Sequence, residues 1–328
     1  MATYRGIRGL TIHTVAGDPS VLQAGDIWYN STAKKIRGAK LAGAWASGNN
    51  VNTARAETGG CGIQTAALMT AGQTGTPGPS VASTETYDGS TWTEVGDLEL
   101  ARNRIAVAGT TTAAVAFGGY ASPGFGFTEN SEEWNGTSWT EGNNLQAAKY
   151  TGGCGIQTAA LSVGGQVPGG VTATVEQYDG TNWTEIADLN TARREMVSAG
   201  TVTAALGFAG YIGPAQSANA ELWNGTSWTE VGDLNTARRY PMSGMGISTA
   251  ALCAGGLAAS TYSGVTETWD ASSWTEQGDL NTGRNAGAGA GTTALAVVAA
   301  GQGPASGNVA NATEEWTEAA TAGSFTSS

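Results

Sequence analysis

A tryptophan recurs at nearly constant spacing through most of the chain, and this periodicity restricts the possible folds more than any other feature. The repeated residues are 47, 47, 44, 45 and 46 positions apart, and they are Trp45, Trp92, Trp139, Trp183, Trp228 and Trp274. Repeats of about 40 to 50 residues are typical of β-propeller blades, in which each repeat forms a four-stranded sheet. The sequence therefore predicts an all-β fold with six blades.

Each complete repeat contains four segments of strand length. In one copy these read REMVSAG, TAALGFAG, NAELWNG and SWTEVGDL. The first two are rich in Ala and Gly, which suits strands crowded around a central axis, and the large aromatic residues occur in the last two. Asp-Gly or Asn-Gly joins the last two segments in most copies and favours a hairpin with a type I′ turn. The fifth copy has Asp270-Ala271 here, which predicts a different turn.

The two ends of the repeat array are complementary. The last copy loses the pattern after Trp316, which lies 19 residues beyond Val297, and the same interval separates Val115 from Trp134. Trp316 therefore corresponds to the third strand, and the last blade lacks a fourth strand. The segment 43–50 has the pattern of a fourth strand but no blade before it. Because an open sheet edge invites aggregation, we expect residues 43–50 to complete the sixth blade.

The order of the segments resembles the kelch repeat. An apolar run ends in Gly-Gly, as at Gly118-Gly119, Gly164-Gly165 and Gly255-Gly256, and is followed by a Glu-x-aromatic segment and then by the tryptophan. The pair is Ala-Gly in the other copies. The resemblance covers about residues 43 to 316 and implies a six-bladed kelch-like propeller, which in that family usually serves as an interaction platform.

Two charged series also recur once per blade. A glutamate lies two positions before the third-strand aromatic residue, and a basic residue follows each fourth strand. The two series are Glu85, Glu132, Glu176, Glu221, Glu267 and Glu314, and Arg55, Arg102, Lys149, Arg193, Arg238 and Arg284. Groups repeated in every blade usually serve the architecture, so we expect hydrogen bonds between blades. A sugar-binding or catalytic ring is the alternative interpretation.

Charge is distributed unevenly along the chain. The formal net charge is −12, and residues 1–44 contribute +4, so the remainder carries −16. Nucleic acids are bound through clustered Lys and Arg, and the acidic body therefore argues against a nucleic-acid partner. A basic N-terminal segment suits docking on an acidic protein surface, although an ordinary solvated charge run has the same composition.

The sequence also argues against membrane insertion and against disulfide bonding. No apolar run approaches the ~18 residues that a membrane span needs, and the N-terminus lacks a signal-peptide pattern. Cys61 and Cys154 lie in identical GGCGIQTAAL contexts, so each belongs to its own repeat. We expect reduced, buried thiols.

The residue types restrict the possible chemistry. His13 is the only histidine, so a Ser-His-Asp triad or a His-based metal site cannot be assembled in the propeller. Paired carboxylates still permit glycoside hydrolysis, which keeps a carbohydrate-active enzyme as an alternative. The sequence shows no unrepeated cluster of Arg or Glu that would suggest a pocket for a sugar carboxylate. We therefore expect a protein without enzymatic activity, catalytic residues, cofactor or metal.

Variation between blades indicates where binding would occur. Function on a repeat scaffold generally lies in loops on one face, and the loops between second and third strands differ most. Strand alternation places the junctions between blades, including Arg104, on that face. The candidate binding residues there are Phe125, Phe127, Tyr150, Arg194, Tyr211, Arg239, Tyr240 and Tyr262. Packing of the aromatic residues within their own loops is the alternative role.

The N-terminal segment resembles proteins of another kind. Residues 25–32, GDIWYNST, resemble a segment near the start of many bacteriophage structural and tail-fibre proteins, and Lys34, Lys35 and Arg37 follow it. The resemblance implies a virion protein, assembled in the host cytoplasm. Residues 1–42 would attach it to other virion proteins, 43–317 would form the propeller and 318–328 a C-terminal tail.

This resemblance suggests how the propeller would be used. It would mediate adsorption to a host-surface glycan or protein, as in a tail fibre or spike, or it would decorate the capsid. Homo-oligomeric assembly is compatible with either role. A cellular kelch-type adaptor is a further alternative.

Overall fold

The computed structural model describes residues 12–75, 77–121, 126–304 and 309–324. Every regular element in these residues is a β-strand. No helix long and apolar enough to cross a membrane occurs in the described ranges. The chain divides into two compact units, Ala44–Thr317 and Met1–Gly43 with Glu318–Ser328. The domain boundaries predicted from the sequence, including the C-terminal tail, remain predictions.

The first half of the chain contains three N-terminal strands and the first three blades. In chain order the strands are β1 (His13–Val15), β2 (Ile27–Asn30), β3 (Lys35–Gly48), β4 (Gly59–Ile63), β5 (Ala66–Thr70), β6 (Thr84–Tyr87), β7 (Trp92–Val95), β8 (Ala106–Gly109), β9 (Ala114–Phe117), β10 (Tyr120–Ala121), β11 (Gly126–Phe127), β12 (Ser131–Trp134), β13 (Trp139–Glu141), β14 (Tyr150–Ile156), β15 (Ala159–Val167), β16 (Gly170–Tyr178) and β17 (Trp183–Ile186).

The second half contains the remaining blades. Its strands are β18 (Val197–Thr201), β19 (Ala204–Phe208), β20 (Ala220–Trp223), β21 (Trp228–Val231), β22 (Met245–Ile247), β23 (Ala250–Ala254), β24 (Leu257–Ala258), β25 (Thr261–Tyr262), β26 (Thr266–Trp269), β27 (Trp274–Glu276), β28 (Ala288–Gly291), β29 (Leu295–Ala299) and β30 (Thr313–Ser324).

The propeller unit consists of radial antiparallel sheets. In blades one to five the four main strands lie side by side in chain order, and β10–β11 and β24–β25 are small hairpins in the loops of blades two and five. The innermost strands are β4, β8, β14, β18, β22 and β28. Each contacts the next, and β28 contacts β4, so the ring of six blades is closed. The prediction of a six-bladed all-β propeller is confirmed.

The sixth blade is completed from the other end of the sequence. Its strand order is β28, β29, β30, β3. Trp316 on β30 pairs with Ala296 on β29, as expected for a third strand. Trp45 on β3 lies beside it, with ring centroids 5.3 Å apart, and donates to Thr266 Oγ1 of blade five at 2.9 Å. The predicted closure is confirmed, although β3 begins at Lys35 and not at residue 43.

Crowding around the channel explains the small residues of the inner strands. A Cβ at Gly60 would lie 2.7 Å from the Cβ of Ala288, and one at Gly153 would lie 2.7 Å from the Cβ of Ala106. Both contacts are shorter than real side chains permit. Neighbouring inner strands therefore approach closely only because these positions lack a side chain.

The apolar core lies between consecutive blades and includes the repeated tryptophans. All six of them are buried: Trp45, Trp92, Trp139, Trp183, Trp228 and Trp274. The three cysteines also belong to this core and carry free thiols. Burial raises the pKa of Cys61 and of Cys154 to about 12. These thiols therefore act as small apolar groups and not as nucleophiles.

The hairpins between third and fourth strands form as predicted, but the turn type differs. Tyr87 pairs with Trp92, so four residues form the loop, and only Gly89 of these has a positive φ. Asp88 accepts hydrogen bonds from the backbone N–H groups of Ser90 and Thr91 and so closes the loop. A type I′ turn was therefore the wrong expectation.

A second expectation about these turns was also wrong. Ala271 in the fifth blade has a φ of 72°, close to the glycines at the same position in other blades. Asp270 accepts from Ser272 and Ser273 just as Asp88 does. The turn is the same, because the aspartate fixes the loop and the alanine adopts the backbone that glycine adopts elsewhere.

The two charged series form buried ion pairs between blades, which we call the inter-blade ring. Each basic residue at a blade junction pairs with the glutamate of the following third strand: Arg55–Glu85, Arg102–Glu132, Lys149–Glu176, Arg193–Glu221, Arg238–Glu267 and Arg284–Glu314. Five of the N···O distances are 2.9 to 3.0 Å. The glutamates also accept backbone N–H groups from the segment after the preceding fourth strand, as Glu267 does from Asn235 at 2.7 Å. This is the architectural role predicted for both series.

Burial affects the acid–base properties of this ring. It lowers the pKa of Lys149 and, to about 10, that of Arg102, and it raises the pKa of Glu132. In each case burial opposes the attraction between the partners. Each buried charge therefore depends on its partner, because the attraction between the two offsets the cost of desolvation.

The ends of the inner strands alternate between two kinds, which the sequence analysis did not recognise. Blades one, three and five end their inner strands in an isoleucine that is 55% exposed: Ile63, Ile156 and Ile247. Blades two, four and six have a threonine at the corresponding position: Thr110, Thr201 and Thr292. A third-strand tryptophan that donates to a carbonyl in its own blade does not follow this alternation, because it occurs in blades two, four, five and six: Trp134, Trp223, Trp269 and Trp316. The alternation is therefore confined to the ends of the inner strands.

The closure predicts a large effect of Trp45→Ala on stability. Loss of this buried ring should reduce the free energy of unfolding by roughly 3–5 kcal/mol. Trp92→Ala is the matched comparison, because Trp92 donates to Thr313 Oγ1 at 3.0 Å in the same way. Denaturant titration of both variants measures the effect. An unchanged melting temperature for Trp45→Ala would contradict the closure.

The inter-blade ring predicts that removal of one partner is costly. Arg102→Met leaves Glu132 buried without its counter-charge and should reduce the free energy of unfolding by about 3–5 kcal/mol. Arg102→Lys is the matched control, because it keeps the charge and Lys149 fills the same position in blade three, paired with Glu176 at 2.9 Å, so it should be much less costly. Chemical denaturation distinguishes the two. Equal effects would mean that the buried pair has no special role.

Candidate functional site

The predicted binding residues lie on the blade junctions and the second-to-third strand loops of blades two to five. Phe125 lies outside the described residues. The junctions and loops are joined by backbone bonds: Arg194 and Tyr211 exchange two, of 3.1 and 2.7 Å, and Arg239 and Leu257 exchange two, of 3.0 and 2.7 Å. Junction and loop therefore form one surface, which surrounds one end of the central channel.

Arginines and tyrosines interleave at this end of the channel. The Arg104 guanidinium lies over two rings, at 5.2 Å from Tyr150 and 5.5 Å from Tyr240. Arg239 lies 5.8 Å from the Tyr240 ring and 5.1 Å from that of Tyr211, and Arg194 lies 4.9 Å from Tyr211. Arg104 and Tyr240 belong to blades two and five, so this stacking extends across the channel opening.

Two carboxylates complete the group. Glu57 accepts from Arg104 Nη2 at 2.8 Å. Glu195, which is nearly buried, is ion-paired with Arg194 at 3.3 Å and with Arg239 at 3.1 Å. We call these residues the mouth cluster, and its members are Glu57, Arg104, Tyr150, Arg194, Glu195, Tyr211, Arg239 and Tyr240.

The mouth cluster corrects one expectation from the sequence. No unrepeated group of Arg and Glu was apparent there, yet the fold assembles one from residues spread over some 180 positions. Glu57 and Glu195 were not among the candidates. A signal was present: each lies two residues after the basic residue of the inter-blade ring, where other blades carry Arg104, Tyr240 and Ala286.

The backbone at this position explains why these side chains meet. Glu57, Arg104, Glu195, Tyr240 and Ala286 all have φ between 50° and 58°. Their amides and carbonyls connect neighbouring blades, with N–H to O distances of 2.6 to 3.0 Å for Glu57 to Ala286, Arg104 to Glu57, Tyr240 to Glu195 and Ala286 to Tyr240. A left-handed backbone costs a non-glycine residue about 1–2 kcal/mol. The surrounding blades impose it here.

The third blade departs from this arrangement. There the corresponding residue is Thr151, which already lies within β14, because this strand begins at Tyr150. The pairing of β14 with β15 has a register shift between Tyr150 and Gly152. The Tyr150 side chain is buried and donates its hydroxyl to Gln166 Oε1 at 2.6 Å. Gln166 Oε1 also accepts from Arg194 Nη1. The irregular blade therefore connects Tyr150 with the Arg194 side of the cluster.

The mouth cluster borders a cavity of about 200 Å³ in the channel. Glu57, Arg104, Tyr150, Glu195 and Tyr240 line it, together with the Gly- and Ala-rich inner strands. No group of three or more His, Cys, Asp or Glu side chains in the described residues is arranged to hold a metal ion. The chemistry available at the cavity is therefore that of guanidinium, phenol and carboxylate groups.

The electrostatic environment keeps Tyr150 and Tyr240 neutral and Arg104 charged. Burial raises the pKa of Tyr150 and of Tyr240. Burial alone would lower the pKa of Arg104, but the hydrogen bond from its guanidinium to Glu57 and the neighbouring groups raise it above its usual range. The phenols therefore act as hydrogen-bonding groups and ring faces, and not as bases.

The two remaining candidates lie further from the channel. Phe127 stacks on Tyr150, with centroids 5.7 Å apart, and also meets Tyr120 edge-on at 5.5 Å. Tyr262 pairs in β25 with Leu257, which bonds Arg239. Phe127 therefore packs against its neighbouring loop, and Tyr262 supports the junction that carries Arg239. Binding roles for both stay predictions.

Comparisons with known proteins identify the fold alone. No model of a known protein family matches the sequence. No curated protein sequence matches it either. The solved structure of YjhT is similar, with a TM-score of 0.69 and 12% sequence identity over 84% of this chain and 99% of that one.

At such low identity the similarity to YjhT supports the propeller architecture and nothing more specific. In all, 313 chains of solved structures match, so the architecture is widespread and does not indicate an activity. The comparisons give no support for the resemblance to kelch repeats or to bacteriophage proteins. Both stay predictions from the sequence.

The strained backbone at the mouth yields a prediction. Ala286→Gly removes no polar contact and relieves a φ of 54°, so it should raise the free energy of unfolding by about 0.5–1 kcal/mol. Ala288→Gly, two residues later in β28, should instead lower it by about 1 kcal/mol or more, because it loosens a buried strand. Guanidinium titration measures both. Destabilisation by Ala286→Gly would refute the strain.

Proposed function

We propose that the protein is a non-enzymatic structural component of a bacteriophage virion that displays its propeller for binding. The N-terminal segment attaches the protein to other virion proteins. The propeller serves adsorption to a host surface, as in a tail fibre or spike, or decorates the capsid. The kelch-like pattern of the repeats and the GDIWYNST segment support this proposal.

The observation that carries the proposal is an exposed apolar face on the N-terminal unit. The GDIWYNST segment forms β2 and the turn that leads to β3. Ile27 on β2 is 44% exposed and Ile36 on β3 is 46% exposed, and Tyr29 pairs directly with Ile36. Alternation along the strands puts these three side chains on one face. Exposed apolar faces of this kind are typical of protein interaction sites.

The opposite face of the same strands is fixed by a polar network. Asp18 accepts from Trp28 Nε1 at 3.1 Å and from Asn30 Nδ2 at 2.8 Å, and it pairs with Arg37 at 2.9 Å. Trp28 and Asn30 are buried. The buried face therefore determines the register, and the residues of the exposed face are not needed for it. Lys34, Lys35 and Lys40 in the same stretch of the sequence suit a partner with acidic groups.

The mouth cluster favours a second candidate function, a carbohydrate-active enzyme. Two carboxylates, Glu57 and Glu195, line the cavity together with Arg104, and paired carboxylates perform glycoside hydrolysis. Both carboxylates are, however, engaged by arginines, which suits binding better than proton transfer. Turnover of a glycan panel that is lost in Glu195→Gln would favour this candidate over the first.

The proposed attachment predicts the behaviour of a double variant. Ile27→Lys with Ile36→Lys should leave the chain folded, because both side chains are well exposed, yet remove it from the virion. Ile63→Lys with Ile156→Lys is the matched control, because these isoleucines are 55% exposed on the propeller. Mass spectrometry of purified particles measures incorporation, and circular dichroism checks folding.

Two outcomes would contradict the proposal. The wild-type protein could be present in lysate and missing from particles, which would exclude a virion role. Alternatively, the Ile27/Ile36 variant could be incorporated as well as its control, which would show that this face does not attach the protein. Deletion of residues 1–40, which keeps Trp45, should also give a folded propeller that no longer joins particles.

A further inference from the structure

We propose that the mouth cluster binds an anionic group, a carboxylate or a phosphate, through Arg104, Arg194 and Arg239. The inference rests on the proposed display function, because it names the chemistry that the displayed face would recognise. The same chemistry is found on charged surface polymers and on small free anions. Four observations on the mouth cluster support the inference.

The first observation is an imbalance of charge. The mouth cluster holds three guanidinium groups and two carboxylates, so its net charge is +1, and Arg194 and Arg239 share the single carboxylate of Glu195. In the inter-blade ring every cation has its own glutamate. If the mouth arginines served only to join blades, the same one-to-one pairing would be expected. The excess is also opposite in sign to the protein, whose net charge is −12.

The second observation is a surplus of hydrogen-bond donors. Each guanidinium carries five N–H groups. Arg104 uses one on Glu57, Arg239 uses one on Glu195, and Arg194 uses Nη1 on Gln166 and directs Nε toward Glu195. The Nε of Arg239 is buried and has no acceptor within the described part of the chain, as is also true of ring arginines such as Arg102 and Arg238, but Arg239 is accessible to a ligand. A buried donor without an acceptor is costly, and a bound oxyanion would satisfy it.

The third observation is that the arginine side chains are held in place by rings. Each guanidinium lies over one or two tyrosine rings at centroid distances of 4.9 to 5.8 Å. A guanidinium stacked on a ring keeps its N–H groups in its own plane, free for a planar or tetrahedral oxyanion. Less side-chain entropy is then lost when the anion binds. The side chains remain accessible, since Arg104, Arg194 and Arg239 are 34%, 24% and 28% exposed.

The fourth observation is that only part of the opening is equipped in this way. The residue directly after the ring cation is Arg194 in blade four and Arg239 in blade five. In blades one, two and six it is Ala56, Asn103 and Asn285, which are buried. The scaffold therefore does not require arginine at this position. Arg194 and Arg239 place positive charge on the side of blades four and five, and Arg104 of blade two lines the cavity.

The test is titration of the full-length protein with inorganic phosphate and with acetate at low, constant ionic strength. Calorimetry or NMR should detect binding with a dissociation constant near 1 mM, which corresponds to about −4 kcal/mol. Raising the salt concentration should weaken binding by screening. A charged polysaccharide that bears phosphate or carboxylate then tests whether the group is recognised as part of a polymer.

Two variants locate the site. Arg239→Lys keeps the charge beside Glu195 but removes the planar donors, and it should weaken phosphate binding about tenfold. Arg104→Gln, on the other side of the cluster, should also weaken phosphate binding about tenfold. Arg37→Lys in the N-terminal unit is the matched control and should bind as the wild type does. Melting temperatures identify any variant that fails to fold.

The outcomes separate this inference from the proposed function. No binding of phosphate, acetate or charged polymer by the wild type would overturn the inference, as would equal binding by folded Arg239→Lys, Arg104→Gln and Arg37→Lys. In either case the presence of the protein in virions would stand. Conversely, anion binding by a protein that never occurs in particles would refute the virion role and leave the site intact.

Discussion

The buried one-to-one pairing of a cation with a glutamate between consecutive blades is the constraint on which the propeller depends. The inner strands consist largely of Gly and Ala, so they contribute little apolar area per residue toward holding blades together. Apolar contact alone is also non-directional and would tolerate sliding between sheets. The glutamate accepts both the ion pair and the backbone N–H groups of the preceding segment, and this fixes one relative position.

The same contacts make the seam in the sixth blade equivalent to the other junctions. The pairs Arg284–Glu314 and Arg55–Glu85 lie on either side of the blade in which the two chain ends meet. Trp45 reaches Thr266, and Trp92 reaches Thr313, by the same indole-to-hydroxyl hydrogen bond. The seam thus uses the interactions of an ordinary junction, and only the covalent connection differs.

Features that recur in every blade could be read from the sequence, because six copies report the same position. The strands, the closure by Trp45 and the ring of ion pairs were predictable in this way. The backbone conformation was not predictable at some positions, because alanine does not indicate a positive φ. Ala71, Ala209 and Ala300 nevertheless adopt the positive φ of the equivalent glycines, Gly118, Gly164 and Gly255. The alternation of isoleucine and threonine at the ends of the inner strands was not predicted, because the copies were compared for the residues that they share.

The mouth cluster was not predictable for the opposite reason. Glu57, Arg104 and Tyr240 each occur once, in different blades, and their proximity depends on closure of the ring and on a left-handed backbone that the sequence does not reveal. Arg194, Arg239 and the tyrosines were found because they vary between blades on one face. Their association with Glu57, Arg104 and Glu195 could be seen only in the folded structure, where these residues meet at the channel opening.

Burial explains why charge imbalance is informative at the mouth and absent from the inter-blade ring. A charge without exposure must be paired, because water cannot compensate it, and the ring obeys this strictly. At 24–34% exposure water relaxes the requirement, so two arginines can share one carboxylate. The backbone there imposes no side chain either, since Ala286 has the same conformation as Glu57 and Arg104. Side chains at the mouth therefore remain accessible to a ligand, whereas the arginines of the ring are buried and cannot reach one.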